Sequence, residues 1–149
     1  MTIPRDFLEL FESLNARKAR FLVVGGYALA YHGAPRFTGD CDVLLATDRD
    51  NAEAVVEALN DFGFSSVGII ADDLQTPNNV IQLGYPPLRV DLLTGIDGVK
   101  WSEAYNAREV MMIDGVEVPF IAKSHLVDNK RASGRPRDIA DLESLGETP

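Results

Sequence analysis

Ile3, Phe7, Leu8, Leu10, Phe11 and Leu14 recur at helical spacing and predict an amphipathic helix at the start of the chain. Phe21 to Val24 is a short unbroken apolar run with β-branched residues and predicts a strand. Gly25-Gly26 ends it, and Tyr27 to His32 predicts one or two helical turns. The glycines and proline of 33–39 predict a loop. Cys41 to Ala46 reads as a second strand. Thr47 or Asp48 can cap the helix that follows, whose apolar face is Ala52, Val55, Val56, Leu59 and Phe62, and Gly63 stops it.

From Phe64 to Asn79 the pattern is weak and rich in turn residues. Val80 to Leu83 and Leu88 to Leu93 predict two strands joined across Gly84-Tyr85-Pro86-Pro87. Asp114-Gly115, flanked by Ile113 and Val116, is a hairpin turn signal, and Val116 to Phe120 predicts the last strand. Lys123 to Ala132 reads as a helix ended near Gly134. Pro136 opens another through Ile139 and Leu142 to Leu145. Helices and strands in this order predict an α/β (α+β) fold with a mixed sheet flanked by helices and C-terminal helices. The 149 residues fit one domain, with a core over about residues 20–121 and a C-terminal helical segment over 122–146.

Composition narrows the function classes. The chain is 46% hydrophobic and 25% charged, ordinary for a globular protein. No apolar run approaches the roughly 20 residues of a membrane span, so a membrane partner is not expected. The first 20 residues are amphipathic and carry acids, unlike a secretory signal. Cys41 is the only cysteine, which excludes an intramolecular disulfide and makes a reducing cytoplasm the expected location. The net charge of −9 argues against general DNA binding, because phosphate contacts dominate such affinity. The charge is uneven. Asp40 to Asp114 holds 14 acids against 4 bases, and Lys123 to Arg137 holds 5 bases against 1 acid. A negative body with one basic segment suits a compact anionic substrate, and equally a solvated basic helix face.

The candidate chemistry lies at three places. Asp40 and Asp42 alternate on a strand, so they share one face about 6–7 Å apart along the chain. Two carboxylates in one field repel unless exposed, protonated or bridged by a cation. Asp91, between Val90 and Leu92, is an acid in a strand whose other residues favour burial. A third acid on a neighbouring strand can complete a site for hard divalent cations such as Mg²⁺, including a two-metal site. Gly25-Gly26, between a strand and a short helix, allows positive φ and close approach of a phosphate to the backbone. Each piece also has an ordinary explanation: strand-end acids in solvent, and a plain tight turn. Neither the dinucleotide fingerprint nor the P-loop pattern is present.

Together these residues resemble the polymerase-β-like nucleotidyltransferase superfamily. Its pattern of a hydrophobic-Gly-Gly turn, an acid-hydrophobic-acid strand and a later strand acid is matched by Val24-Gly25-Gly26, Asp40-Cys41-Asp42-Val43 and Val90-Asp91-Leu92. Cys41 stands where a larger aliphatic is usual. Val23 to Ala28, His32 to Asp40 and the tail Lys130 to Leu142 are similar to small bacterial nucleotidyltransferases, including abortive-infection-type toxins. Lincosamide nucleotidyltransferases have a similar layout. The resemblance implies Mg²⁺-dependent transfer of a nucleoside monophosphate from a nucleoside triphosphate, ATP among the candidates, to an acceptor hydroxyl on RNA, protein or a small molecule. It implies that Asp40, Asp42 and Asp91 hold the metals, with Asp91 also the general base. It also implies that Gly25 and Gly26 cradle the triphosphate, and that Lys130, oriented by Asp138 or Asp141, neutralises phosphate. A cognate toxin or antitoxin protein is a further expected partner.

Two other function classes stand beside this one: an inactive member that binds nucleotide or a partner protein, and a small phosphate-binding regulator. His32 and His125 have no metal-ligand spacing. Trp101 and Tyr105, four apart, read as packing, and Cys41 as core. Arg36 and Thr38 precede the acids in the loop, in reach of a phosphate or acceptor, although a solvated loop arginine is the commoner case.

Overall fold

The computed structural model describes residues 1–36, 38–63, 68–85 and 88–149. The elements are α1 (Arg5–Ala16), β1 (Phe21–Val24), α2 (Gly25–Tyr31), β2 (Asp40–Leu45), α3 (Arg49–Phe62), β3 (Val80–Tyr85), β4 (Leu88–Leu93), α4 (Trp101–Asn106), β5 (Glu109–Ile113), β6 (Val116–Phe120), α5 (Lys123–Ser133) and α6 (Pro136–Ser144). The strands form one mixed sheet in the order β3-β4-β2-β1-β6-β5. β2 and β4 run parallel, as do β1 and β6, and the remaining neighbours are antiparallel.

Placement in the sheet explains the sequence patterns. β1 is central and all four of its side chains are buried, hence its unbroken apolar run. β3 and β5 are edges and keep Val80, Val110 and Met112 exposed. α1 turns Phe7, Leu8, Leu10, Phe11 and Leu14 inward and packs against α3, which buries Ala52, Val55, Ala58 and Leu59. Asn51 locks α3 to the sheet. Its amide donates to the Arg20 and Ala46 carbonyls (3.1 and 2.9 Å), and its carbonyl accepts the Arg20 N–H (2.7 Å). Asp48 is the cap, accepting the Asn51 N–H at 3.2 Å, and Gly63 closes the helix in the left-handed region at φ 109°.

The expected fold class holds, with shifts at the ends of elements. The helix after the glycine turn begins at Gly25 itself, and β3 runs on to Tyr85. The weakly patterned stretch contains a 3₁₀ turn at Ala71–Leu74, while residues 64–67 of it lie outside the described residues. So do Pro86 and Pro87, where a strand junction is expected, and Phe37 in the loop before the acids. Trp101 and Tyr105 stack at 4.9 Å within α4, a packing pair as expected. Cys41 is buried, and burial pushes its thiol well above the ordinary range. His32 Nε2 lies 2.7 Å from the Ile121 carbonyl, which satisfies it.

Candidate active site

The sheet register gathers the acids. β2 and β4 pair in parallel with Asp40 opposite Arg89 and Asp42 opposite Asp91. Alternation along each strand then puts Asp40, Asp42, Arg89 and Asp91 on one face. Neighbouring strands are about 4.8 Å apart, so Asp42 and Asp91 are immediate cross-strand neighbours. Like charges directly opposite are destabilising. Asp42 records this: burial first, then the charges of Asp91 and Asp40, push its carboxyl up to about 6, against the opposing pull of Lys130 and Arg137. Arg89 offsets part of the repulsion. Its Nη2 donates to Asp40 Oδ2 at 2.7 Å, and its Nε stands 3.3 Å from Asp91 Oδ1. That second contact lacks hydrogen-bond geometry, so Arg89 Nε and Asp91 Oδ1 are both buried without a hydrogen-bond partner.

The glycine turn closes over Asp42. β1 and β2 pair antiparallel with Val24 opposite Asp42, which puts Gly25 beside that carboxylate. Gly25 has φ +66°, and a Cβ built on it would overlap Asp42 Oδ2. A Cβ on Gly26 would stand 2.8 Å from Thr38 Cβ, too close without movement. Both glycines are therefore required by close approach, Gly25 by its backbone conformation as well. Thr38 supports the strand entry, its hydroxyl donating to the Asp40 carbonyl at 3.0 Å.

A cationic wall faces the acids. Lys130, on α5, is buried, with Nζ 2.9 Å from Asp141 Oδ2 and 3.4 Å from Asp138 Oδ1. Arg36 donates to Asp141 through Nε (2.9 Å) and Nη2 (3.2 Å). Arg135 donates to Asp138 through its backbone N–H and its guanidinium (3.1 and 2.8 Å). Burial works to raise both acids, but these donors and the Lys130 charge prevail and hold Asp138 and Asp141 below the usual carboxylate range. Between the walls lies a cleft of about 480 Å³, within the ordinary size of ligand sites. Gly25, Asp42, Asp91, Lys130, Arg135 and Arg137 all line it.

Residues 4–148 match the family described as "Nucleotidyl transferase of unknown function (DUF2204)". The chain belongs to this nucleotidyl transferase family. Crystal structures with the same fold include a candidate nucleotidyltransferase from Thermotoga maritima. It is 13% identical with a TM-score of 0.61, over 95% of this chain and 89% of that one. An antigenic nucleotidyltransferase-like protein from Paracoccidioides brasiliensis is 17% identical with a TM-score of 0.56, over 96% of this chain and 77% of that one. No curated protein matches the chain.

The nucleotidyltransferase fold raises the question of a divalent cation. Among the described residues, no group of three or more His, Cys, Asp or Glu is arranged to hold an ion, and Arg89 bridges Asp40 and Asp91. The donor chemistry nevertheless fits. Asp42 and Asp91 are adjacent hard-oxygen ligands in an aqueous cleft, Asp91 Oδ1 is buried with no donor, and repulsion raises Asp42.

Of the candidate site residues read from the sequence, Gly25, Asp42, Asp91 and Lys130 line the cleft together, while Asp40 lies on the same strand face opposite Arg89 and Gly26 packs against Thr38, neither lining the cleft. Arg36 is not the solvated loop arginine expected but is held by Asp141. Sequence reasoning missed Arg89, Arg135 and Arg137. Arg89 had a readable signal: it is two residues before Asp91 on the same strand, hence on its face.

Proposed function

We propose that this protein transfers a nucleoside monophosphate from a nucleoside triphosphate to an acceptor hydroxyl, with a divalent cation, Mg²⁺ in the first instance, held by Asp40, Asp42 and Asp91. The observation that carries the reading is the pairing of Asp42 with Asp91 beside Gly25, across one cleft from a cationic wall. A nucleotide with bound cation is an ion of mixed charge, and this cleft offers both signs.

Gly25 lines the cleft with the space on its Cβ side taken by the Asp42 carboxylate, so what it offers a phosphate is exposed backbone, and Lys130 adds positive potential to the lining. The acceptor oxygen attacks the α-phosphorus, the bond from that phosphorus to the bridging oxygen breaks, and pyrophosphate leaves with the electron pair. Asp91 takes the acceptor proton. A cation bound by the three aspartates would polarise the α-phosphate and make the acceptor hydroxyl easier to deprotonate. Asp42, next to it, is relieved of repulsion when positive charge arrives.

One observation favours a second reading. Arg89 already supplies positive charge to Asp40 and Asp91, as in a member that binds nucleotide without transferring it. Pyrophosphate release separates the two. With Mg²⁺, each of the four nucleoside triphosphates and cell-extract acceptors, the wild type should release pyrophosphate and Asp42→Asn should not. Nucleotide binding without release would establish the second reading.

A further inference from the structure

Four cations line the cleft: Arg36, Lys130, Arg135 and Arg137. Three are committed to carboxylates. Arg36 and Lys130 hold Asp141, and Lys130 and Arg135 hold Asp138. Lys130 is in addition almost fully buried, which limits how far its ammonium can reach. Arg137 differs. It is exposed, and among the described residues it has no hydrogen bond or ion pair.

Its position is also electrostatically unfavourable. Arg137 lies in the first turn of α6, at the positive end of that helix's dipole, where acids are favoured and cations are not. Asp138, the acid of that turn, is already bound by Arg135 and Lys130. Four cations against two aspartates leave this wall net positive, and Arg137 is the cation of the four with no carboxylate partner among the described residues. Local rules of this kind are broken chiefly at functional or strained positions, and Arg137 lines the cleft. Its charge reaches across the cleft to Asp42.

We propose that Arg137 contacts the phosphate chain of the bound nucleotide, its guanidinium taking oxygens of the departing pyrophosphate, while Lys130 and Arg36 remain paired and supply field. This rests on the reading of the cleft as a nucleoside triphosphate site. A guanidinium suits the task because its planar fork binds two phosphate oxygens at once and stays charged at any physiological pH. Loss of one such charge-assisted contact corresponds to ~10-fold in affinity.

The probe is inorganic tripolyphosphate, titrated calorimetrically in Mg²⁺ buffer into the full chain as wild type, Arg137→Gln and Arg137→Lys. Arg137→Gln should bind about 10-fold more weakly or worse, and Arg137→Lys should recover part of the loss. The urea midpoint should not fall, since Arg137 has no hydrogen-bond or ion-pair partner among the described residues and opposes the helix dipole, and Mn²⁺ binding without nucleotide should not weaken, since the change removes positive charge from the field of Asp42. Arg137→Gln binding within twofold of wild type, or a wild type that binds no tripolyphosphate, overturns the proposal. Transfer activity is scored separately. Wild-type transfer with equal tripolyphosphate binding by Arg137→Gln removes the arginine's role alone. Arg137-dependent binding without transfer to any acceptor removes the transferase reading alone.

Discussion

Replacing Asp42 by Asn removes one negative charge from a face where Asp91 is the cross-strand neighbour and Asp40 lies two residues away. The size of the effect follows from the raised carboxyl, about 6 against an ordinary 3.8. That difference of roughly 2 units, at 1.36 kcal/mol each, means ionised Asp42 destabilises the metal-free fold by up to about 3 kcal/mol. The cleft admits water, so about 1–3 kcal/mol is the working range. The sign is fixed by linkage. Between pH 4 and 6 the folded protein binds more protons than the unfolded chain, so stability attributable to Asp42 falls as pH rises through that window. Above it the full penalty is present.

Urea unfolding in chelator at several pH values measures this. Asp42→Asn should exceed wild type by about 1–3 kcal/mol near pH 7.5, and the gap should close toward pH 4. Asp138 and Asp141 titrate below their ordinary values, and so act below this window and equally in both proteins. Mg²⁺ should stabilise the wild type and have little effect on the variant. A variant no more stable than wild type at pH 7.5, or a gap independent of pH, would refute the electrostatic argument.

Lys130→Met leaves Asp138 and Asp141 buried with a missing counter-charge, a class of change that costs about 3–5 kcal/mol, and urea unfolding should show it. A loss below about 1 kcal/mol would place Lys130 outside the structural network. Gly25→Ala forces a Cβ onto Asp42 Oδ2 at a left-handed backbone position. It should cost about 1–3 kcal/mol and abolish Mg²⁺-dependent thermal stabilisation, whereas retained stabilisation would free the carboxylate from the glycine turn.

Much of the site was legible in the sequence because its determinants are local. β1, β2 and β4 announce themselves through burial, and alternation alone puts Asp40 and Asp42 on one face. The pairing of Asp42 with Asp91 and of Asp40 with Arg89 was not legible, since it depends on β4 lying beside β2 in a particular register. The same holds for Arg36 and Asp141, which meet across 105 residues. A weaker signal was available in the C-terminal helices. Lys130 falls in the buried stripe of α5 with Leu126 and Val127, and Asp138 and Asp141 in that of α6 with Leu142. A lysine in one apolar stripe and two acids in the next indicate a buried ion pair. β5 and α4 were hard to read for the opposite reason: one is an exposed edge and the other has only six residues.

The most direct measurement of nucleotidyl transfer is the mass of the acceptor. RNA, protein and small-molecule fractions would each be incubated with the protein, Mg²⁺ and each nucleoside triphosphate, then weighed by mass spectrometry. Transfer requires at least one acceptor to gain the mass of one nucleoside monophosphate with wild type and not with Asp42→Asn. Unchanged masses in every fraction, from protein shown by calorimetry to bind Mg²⁺ and nucleotide, would contradict it.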